Sequence, residues 1–147
     1  MDHGRRFVGL VALWATACAP APRQGFNEVL VRAADYAFIA PDTVAPGLTA
    51  FSFVNTGSVR HEVKLIALRP GADERVAMRL AMIDSGWAHL RRPTSGILTA
   101  AAGDTTPGRL LASLASGETY LLVCHFADAD SAPLHSELGM IRRLVVR

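Results

Sequence analysis

Residues 117–140 read GETYLLVCHFADADSAPLHSELGM, and the fold turns on how this stretch is taken. Ser116-Gly117-Glu118 has turn chemistry, and 119–126 is rich in aromatic and branched residues, the composition of a strand. Cys124 lies at the end of that run. A loop over 127–139 contains His135, and Met140 opens a final apolar run to Val146. The pattern is strand, loop, strand, with a thiol, an imidazole and a thioether at the joints.

The rest of the chain reads the same way. Residues 28–33 are β-rich, and 36–39 continue them. Pro41-Asp42 and Pro46-Gly47 mark turns, and 48–55 alternates with Phe51 and Phe53 on one face. Asn55-Thr56-Gly57-Ser58 is a turn. The strand 61–68 puts His61, Val63, Leu65 and Ala67 on one face and ends at Pro70-Gly71. Over 74–83, Val76, Leu80 and Ile83 fall at i, i+4 and i+7, which predicts a short helix with Met78 and Met82 as packing residues. Residues 86–93 read as loop, holding Trp87 and a solvated His89. Residues 96–102 and 110–114 are further strands, separated by a turn at Pro107. Seven or eight short strands with regular turns predict an all-β fold, a Greek-key β-sandwich with one short helix around 74–83.

A chain of 147 residues, half of them apolar, suffices for one domain with a full core. Its 15 basic and 13 acidic residues leave a net charge of +2. The basic residues are scattered, so no nucleic-acid partner is expected. The N-terminus reads as an export signal over 1–17. Arg5 and Arg6 precede an apolar run at 7–17 that is too short to span a bilayer. Ala15-Thr16-Ala17-Cys18 permits two readings, an ordinary Ala-x-Ala cleavage site or a bacterial lipobox with Ala15 where Leu is more usual. We favour the lipobox, which makes Cys18 a lipidated N-terminus and 18–27 a short tether to a domain at 28–147. The expected location is then the periplasm or outer cell envelope, with the membrane reached only through the lipid.

Cys18 and Cys124 are the only cysteines. With Cys18 lipidated, Cys124 is a lone thiol in an oxidising compartment, where it must be buried or hold a metal. Four residues then stand out: His61 opening a strand, Cys124 ending one, His135 in the loop after it, and Met140 opening the last. Two histidines and a cysteine with a weak axial methionine are the ligand set of electron-transfer copper. His125, next to Cys124, points to the opposite face of a strand and is expected at the surface or an edge. It rivals His135 only if the strand stops at Cys124.

Here the sequence resembles the cupredoxins. The first half of the resemblance runs from Pro41-Asp42-Thr43-Val44-Ala45-Pro46-Gly47 through Phe51-Ser52-Phe53-Val54-Asn55-Thr56-Gly57 to His61-Glu62-Val63. The second runs from Gly117-Glu118-Thr119-Tyr120 through Cys124 to His135-Ser136-Glu137-Leu138-Gly139-Met140. The resemblance implies His61 and His135 as imidazole ligands, Cys124 as the thiolate and Met140 as the axial ligand of one copper ion. Two departures stand out. Ten residues separate Cys124 from His135 where the family has only a few, which predicts a flexible insertion or flap and a less rigid His135. Glu62 stands where many members carry an Asn that ties the ligand loops together, which predicts different surroundings for the ligands.

The function expected from the resemblance is one-electron transfer by a monomer with a redox partner protein in the cell envelope. Two alternatives stay open: a copper-handling module without electron transfer, and a metal-free cupredoxin-fold domain that binds a protein. No enzyme is expected, because no second histidine cluster and no Ser/His/Asp arrangement is present.

Overall fold

The computed structural model describes residues 25–147, so the export signal at 1–17, Cys18 and the tether as far as residue 24 lie outside the described residues. Nine strands and one helix follow in order among them. They are β1 (Asn27–Ala34), β2 (Ala37–Ile39), β3 (Thr43–Val44), β4 (Gly47–Asn55), β5 (His61–Leu68), α1 (Glu74–Met82), β6 (Arg91–Ala100), β7 (Leu110–Leu114), β8 (Thr119–Val123) and β9 (Ile141–Val146). They build two sheets, β2-β1-β4-β7 and β3-β9-β8-β5-β6. Both sheets are mixed, because β1 pairs with β4 and β3 with β9 in parallel. The result is the expected β-sandwich with one short helix.

Alternation builds the layer between the sheets. In β1, Val29, Val31 and Ala33 point inward while Glu28, Leu30 and Arg32 point out. Phe51 and Phe53 of β4 meet Val63, Leu65 and Ala67 of β5, Leu122 of β8, and Leu144 and Val146 of β9. Burying each such phenyl ring contributes about 2–3 kcal/mol.

The five-stranded sheet is covered on its outer face too. There Ile66, Leu68, Leu121 and Val123 pack against Ala77 and Ala81 of α1 and against Trp87. A strand buried on both faces reads as a continuous apolar run, which is why Tyr120-Leu121-Leu122-Val123 shows no alternation. Asp73 caps the helix, its carboxylate accepting from the N–H groups of Arg75 and Val76 at 2.9 and 3.1 Å. At the other end the Ser136 hydroxyl donates to the Met82 carbonyl at 2.6 Å.

The sequence expectations need several local corrections. The helix ends at Met82, with Ile83 as its cap and half exposed. Its buried side centres on Ala77 and Ala81, one residue away from the expected stripe, because small side chains let the helix approach the sheet closely. The loop over 86–93 is shorter than expected, since β6 begins at Arg91, and Trp87 is buried. Residues 36–39 do not continue the first strand. The chain reverses at Asp35-Tyr36, with Tyr36 at φ +60°, and β2 runs back antiparallel along β1. Strand β8 stops at Val123, which leaves Cys124 just beyond it. Thr43 and Val44, read as part of a turn-rich stretch, form the short β3.

Candidate metal centre

Every expected donor sits at one end of the sandwich. His61 opens β5, Cys124 follows β8, and His135 and Met140 precede β9. His61, Cys124 and Met140 are fully buried and His135 is 1% exposed. Among the described residues, His61, Cys124 and His135 are the one His/Cys/Asp/Glu group arranged to hold a metal ion, with their donor atoms within 4.8 Å of one another. The two Nδ1 atoms lie 3.1 Å apart, and Cys124 Sγ lies 3.5 Å from His135 Nδ1.

The backbone explains why a ten-residue gap does not scatter these donors. His135 N–H donates to the Phe126 carbonyl at 2.7 Å, and Ser136 N–H donates to the Cys124 carbonyl at 2.9 Å. These two bonds close the loop at its base, so the insertion is an excursion above a tight neck. Cys124 N–H donates to the Met140 carbonyl at 3.2 Å, and Met140 N–H donates to the His135 carbonyl at 2.8 Å. Cys124, His135 and Met140 are thus laced together through the main chain. The expectation of a loosely held His135 is corrected on this point.

The surroundings differ as expected at Glu62, which still ties the two loops together. Its N–H points at Cys124 Sγ at 3.5 Å, and its carboxylate accepts from His125 N–H at 3.1 Å. Lys64 balances the charge at 3.1 Å. The start of β5 is thereby fastened to the cysteine loop through a carboxylate rather than an amide.

His125 is neither a rival ligand nor a surface residue. Its side chain is only 5% exposed and lies on the helix side of the sheet. Nε2–H donates to the Ala81 carbonyl at 2.8 Å, and Nδ1 accepts from Lys64 Nζ at 3.3 Å. Its orientation follows the alternation of Leu121 and Val123, but α1 covers that face. His89 is exposed, as expected.

Sequence reasoning missed the residues behind the imidazoles. His135 Nε2 lies 3.0 Å from an Asp128 carboxylate oxygen, and Tyr36 donates its hydroxyl to the same carboxylate at 2.5 Å. His61 Nε2 has no hydrogen-bond partner, and the nearest carboxylate oxygen, of Asp35, stands 3.6 Å away. Asp35 is itself held by the N–H and hydroxyl of Ser58 at 2.7 and 2.8 Å. The Tyr36 ring packs edgewise on both imidazoles. Nothing in the local pattern marks Asp35, Tyr36 or Asp128: Asp35 and Tyr36 reach the site from a distant turn, and Asp128 meets His135 only because their shared loop folds back on itself.

The electrostatics suit a cation. Burial pushes the Cys124 thiol up from its ordinary value, against the opposing effect of the Glu62 and Phe126 N–H groups. Burial, together with the neighbouring His135, pushes His61 down. The site therefore disfavours a bare thiolate and a charged imidazole, and a bound ion would supply the missing compensation. Donors of a trigonal site with metal–nitrogen and metal–sulfur distances of about 2.0 and 2.3 Å sit about 3.5–3.7 Å apart. The spacings here are a few tenths of an ångström shorter, so modest opening fits an ion. The donor set, two imidazoles and a thiol without a carboxylate, suits a soft or borderline transition metal.

No family model matches the chain, and no curated protein matches it by sequence. Solved structures do match. Dithionite-reduced auracyanin from the photosynthetic bacterium Roseiflexus castenholzii is 16% identical, with a TM-score of 0.55 over 84% of this chain and 99% of that one. Auracyanin B is 23% identical, with a TM-score of 0.52 over 88% and 93%. The copper protein rusticyanin is 18% identical, with a TM-score of 0.51 over 82% and 76%. All three are cupredoxins, and at these identities the likeness speaks to architecture. The chain has the cupredoxin fold.

Proposed function

We propose that the protein holds one copper ion, for which His61, Cys124 and His135 would be the main donors and Met140 a weaker fourth, and serves as a one-electron carrier in the cell envelope. The observation that carries this reading is the convergence of both Nδ1 atoms and the thiol at one buried point. Its support from outside the chain is that rusticyanin, a copper protein, shares the architecture.

Bound there, copper supplies a one-electron couple whose two states accept imidazole and thiolate donors. The protein's own part is to hold those donors still. The closed neck, the Glu62 tie and the main-chain bonds through Met140 limit rearrangement between the two oxidation states. Burial excludes water from the sulfur and protects the thiol from oxidation. A carrier of this kind needs a partner protein rather than a substrate. The mouth lined by Val59, Arg60, Phe126, Ala127 and Asp128 flanks both ligand loops and is the natural place for that contact. The copper-handling alternative calls for an open, exchangeable site, which full burial of the donors disfavours.

Titration of the purified protein with Cu(II) tests the reading. An intense thiolate-to-copper visible band is expected, lost in Cys124→Ser and in His61→Ala. A protein that takes up no copper refutes it, and a colourless Cu(I) complex transfers support to copper handling. Envelope anchoring through Cys18 is tested separately: Cys18→Ser should move the protein from the membrane fraction to the soluble fraction.

A further inference from the structure

We propose that Asp35 and Asp128 are positioning residues: Asp128 holds the Nε2 proton of His135, and Asp35 is placed to take that of His61 when an ion binds, so that both Nδ1 lone pairs then face Cys124. The proposal rests on the metal-centre reading above and names how this chain aims its own donors.

A neutral imidazole has one proton for two nitrogens, and only the bare nitrogen can bind a metal. His135 Nε2 faces a carboxylate oxygen at 3.0 Å, so that nitrogen bears the proton and Nδ1 is bare. Nδ1 of His61 lies 3.1 Å from that bare atom, which makes it the donor of the pair. His61 Nε2 is then bare in turn. It is also a buried side-chain nitrogen with no hydrogen-bond partner, in keeping with a ring that does not donate there. The two histidines therefore stand in opposite tautomers, His135 set for binding and His61 not.

To bind, His61 must carry its proton on Nε2 instead of Nδ1. No net proton leaves the ring, and the one proton released on binding is that of the Cys124 thiol. The acceptor for the relocated N–H is already aimed. Asp35 Oδ1 stands 3.6 Å from His61 Nε2, fixed by Ser58, and a shift of about half an ångström makes the bond. Gly57 leaves the room for this approach. A Cβ there would lie 2.4 Å from Asp35 Oδ1 and 3.1 Å from His61 Nε2, although the backbone of Gly57 does not itself demand glycine. One tight turn serves both rings, since Asp35 faces His61 while Tyr36, next to it at φ +60°, holds Asp128 against His135.

Nitrogen-15 spectra of the labelled full chain, free of metal, test the tautomers directly. His135 is expected with its proton on Nε2 and His61 with its proton on Nδ1. Addition of one equivalent of Cu(I) should move the His61 proton to Nε2. Asp128→Ala and Asp35→Ala should each lower Cu(I) affinity roughly 10–100-fold in a chelator competition. Gly57→Ala should reproduce the Asp35→Ala loss without deleting a polar group. Asp35→Asn, which keeps an oxygen for Ser58, should fold and retain part of the affinity if Asp35→Ala fails to fold. A metal-free His135 with its proton on Nδ1 overturns the proposal, as do affinities of all these variants within about threefold of the parent. If the parent protein takes up no copper, the metal-centre reading fails, and the metal-free tautomers alone decide this proposal.

Discussion

Replacing Glu62 by alanine should cost about 3 kcal/mol of stability, and replacing it by glutamine only about 1. The difference follows from what the carboxylate touches. Glu62 is 5% exposed, and one of its oxygens accepts from His125 N–H at 3.1 Å while pairing with Lys64 at 3.1 Å. Alanine leaves the His125 N–H without an acceptor, and losing a hydrogen bond to a charged group costs about 1.5–3 kcal/mol. Lys64 remains partly in water, with its side chain 22% exposed, so the ion pair adds at most about 1 kcal/mol. Glutamine keeps an oxygen at the same reach and sacrifices mainly the pair. For a domain of this size 1 kcal/mol moves the melting temperature by about 4 °C, so drops of about 12 and 4 °C are expected. Urea titration of the metal-free protein gives the free energies, and a double-mutant cycle with Lys64→Met separates the two contributions. Equal losses for alanine and glutamine would refute the argument, because the hydrogen bond to His125 would then contribute nothing.

Three further outcomes are expected. His61 and His125 are both pushed down, chiefly by burial, so they are neutral in the folded state where the unfolded chain already takes up protons. Stability should hold above about pH 6.5 and fall below it, by up to about 1.4 kcal/mol per pH unit for each histidine; urea midpoints across that range check this, and His125→Gln should reduce the slope. Excising residues 129–132 leaves both bonds at the neck and Asp128 in place, so stability should change by less than about 1 kcal/mol, and copper uptake should persist in the visible titration. Asp73→Ala removes the acceptor for two N–H groups at the start of α1 and should cost about 1 kcal/mol in the same denaturation assay.

Where a strand has one wet face, its sequence announces it, as Val29, Val31 and Ala33 do against Glu28 and Arg32. Strand β5 was legible to the residue, because turns bound it at both ends. The start of β6 was not. Arg91-Arg92-Pro93-Thr94-Ser95 has loop composition, and it is tolerated as strand because β6 lies at the sheet edge, with irregular register opposite Ile66 and Leu68. The reversal at Asp35-Tyr36 was hidden for another reason. A tyrosine at positive φ carries no turn signal, and its conformation is held by distant partners. For the site, donor types and their strand-end positions were readable, and so were His61, Cys124 and His135 as neighbours. The carboxylates behind the imidazoles were not, since Asp35 meets His61 through tertiary approach and Asp128 meets His135 through the fold of a loop with no regular period. His125 shows the same limit, because alternation assigned its face and only the helix determines that the face is dry.

The neck beneath residues 127–134 uncouples contour length from donor spacing. Beyond Asp128 the chain can lengthen or shorten as a passenger, while the rungs at Phe126–His135 and Cys124–Ser136 keep Cys124 and His135 in step. In this chain the count of residues between Cys124 and His135 is therefore a poor ruler of their distance apart. The same uncoupling makes the tip a graft point: a short tag inserted between Asp130 and Ser131 would ride outside the protein and leave the donors where they are.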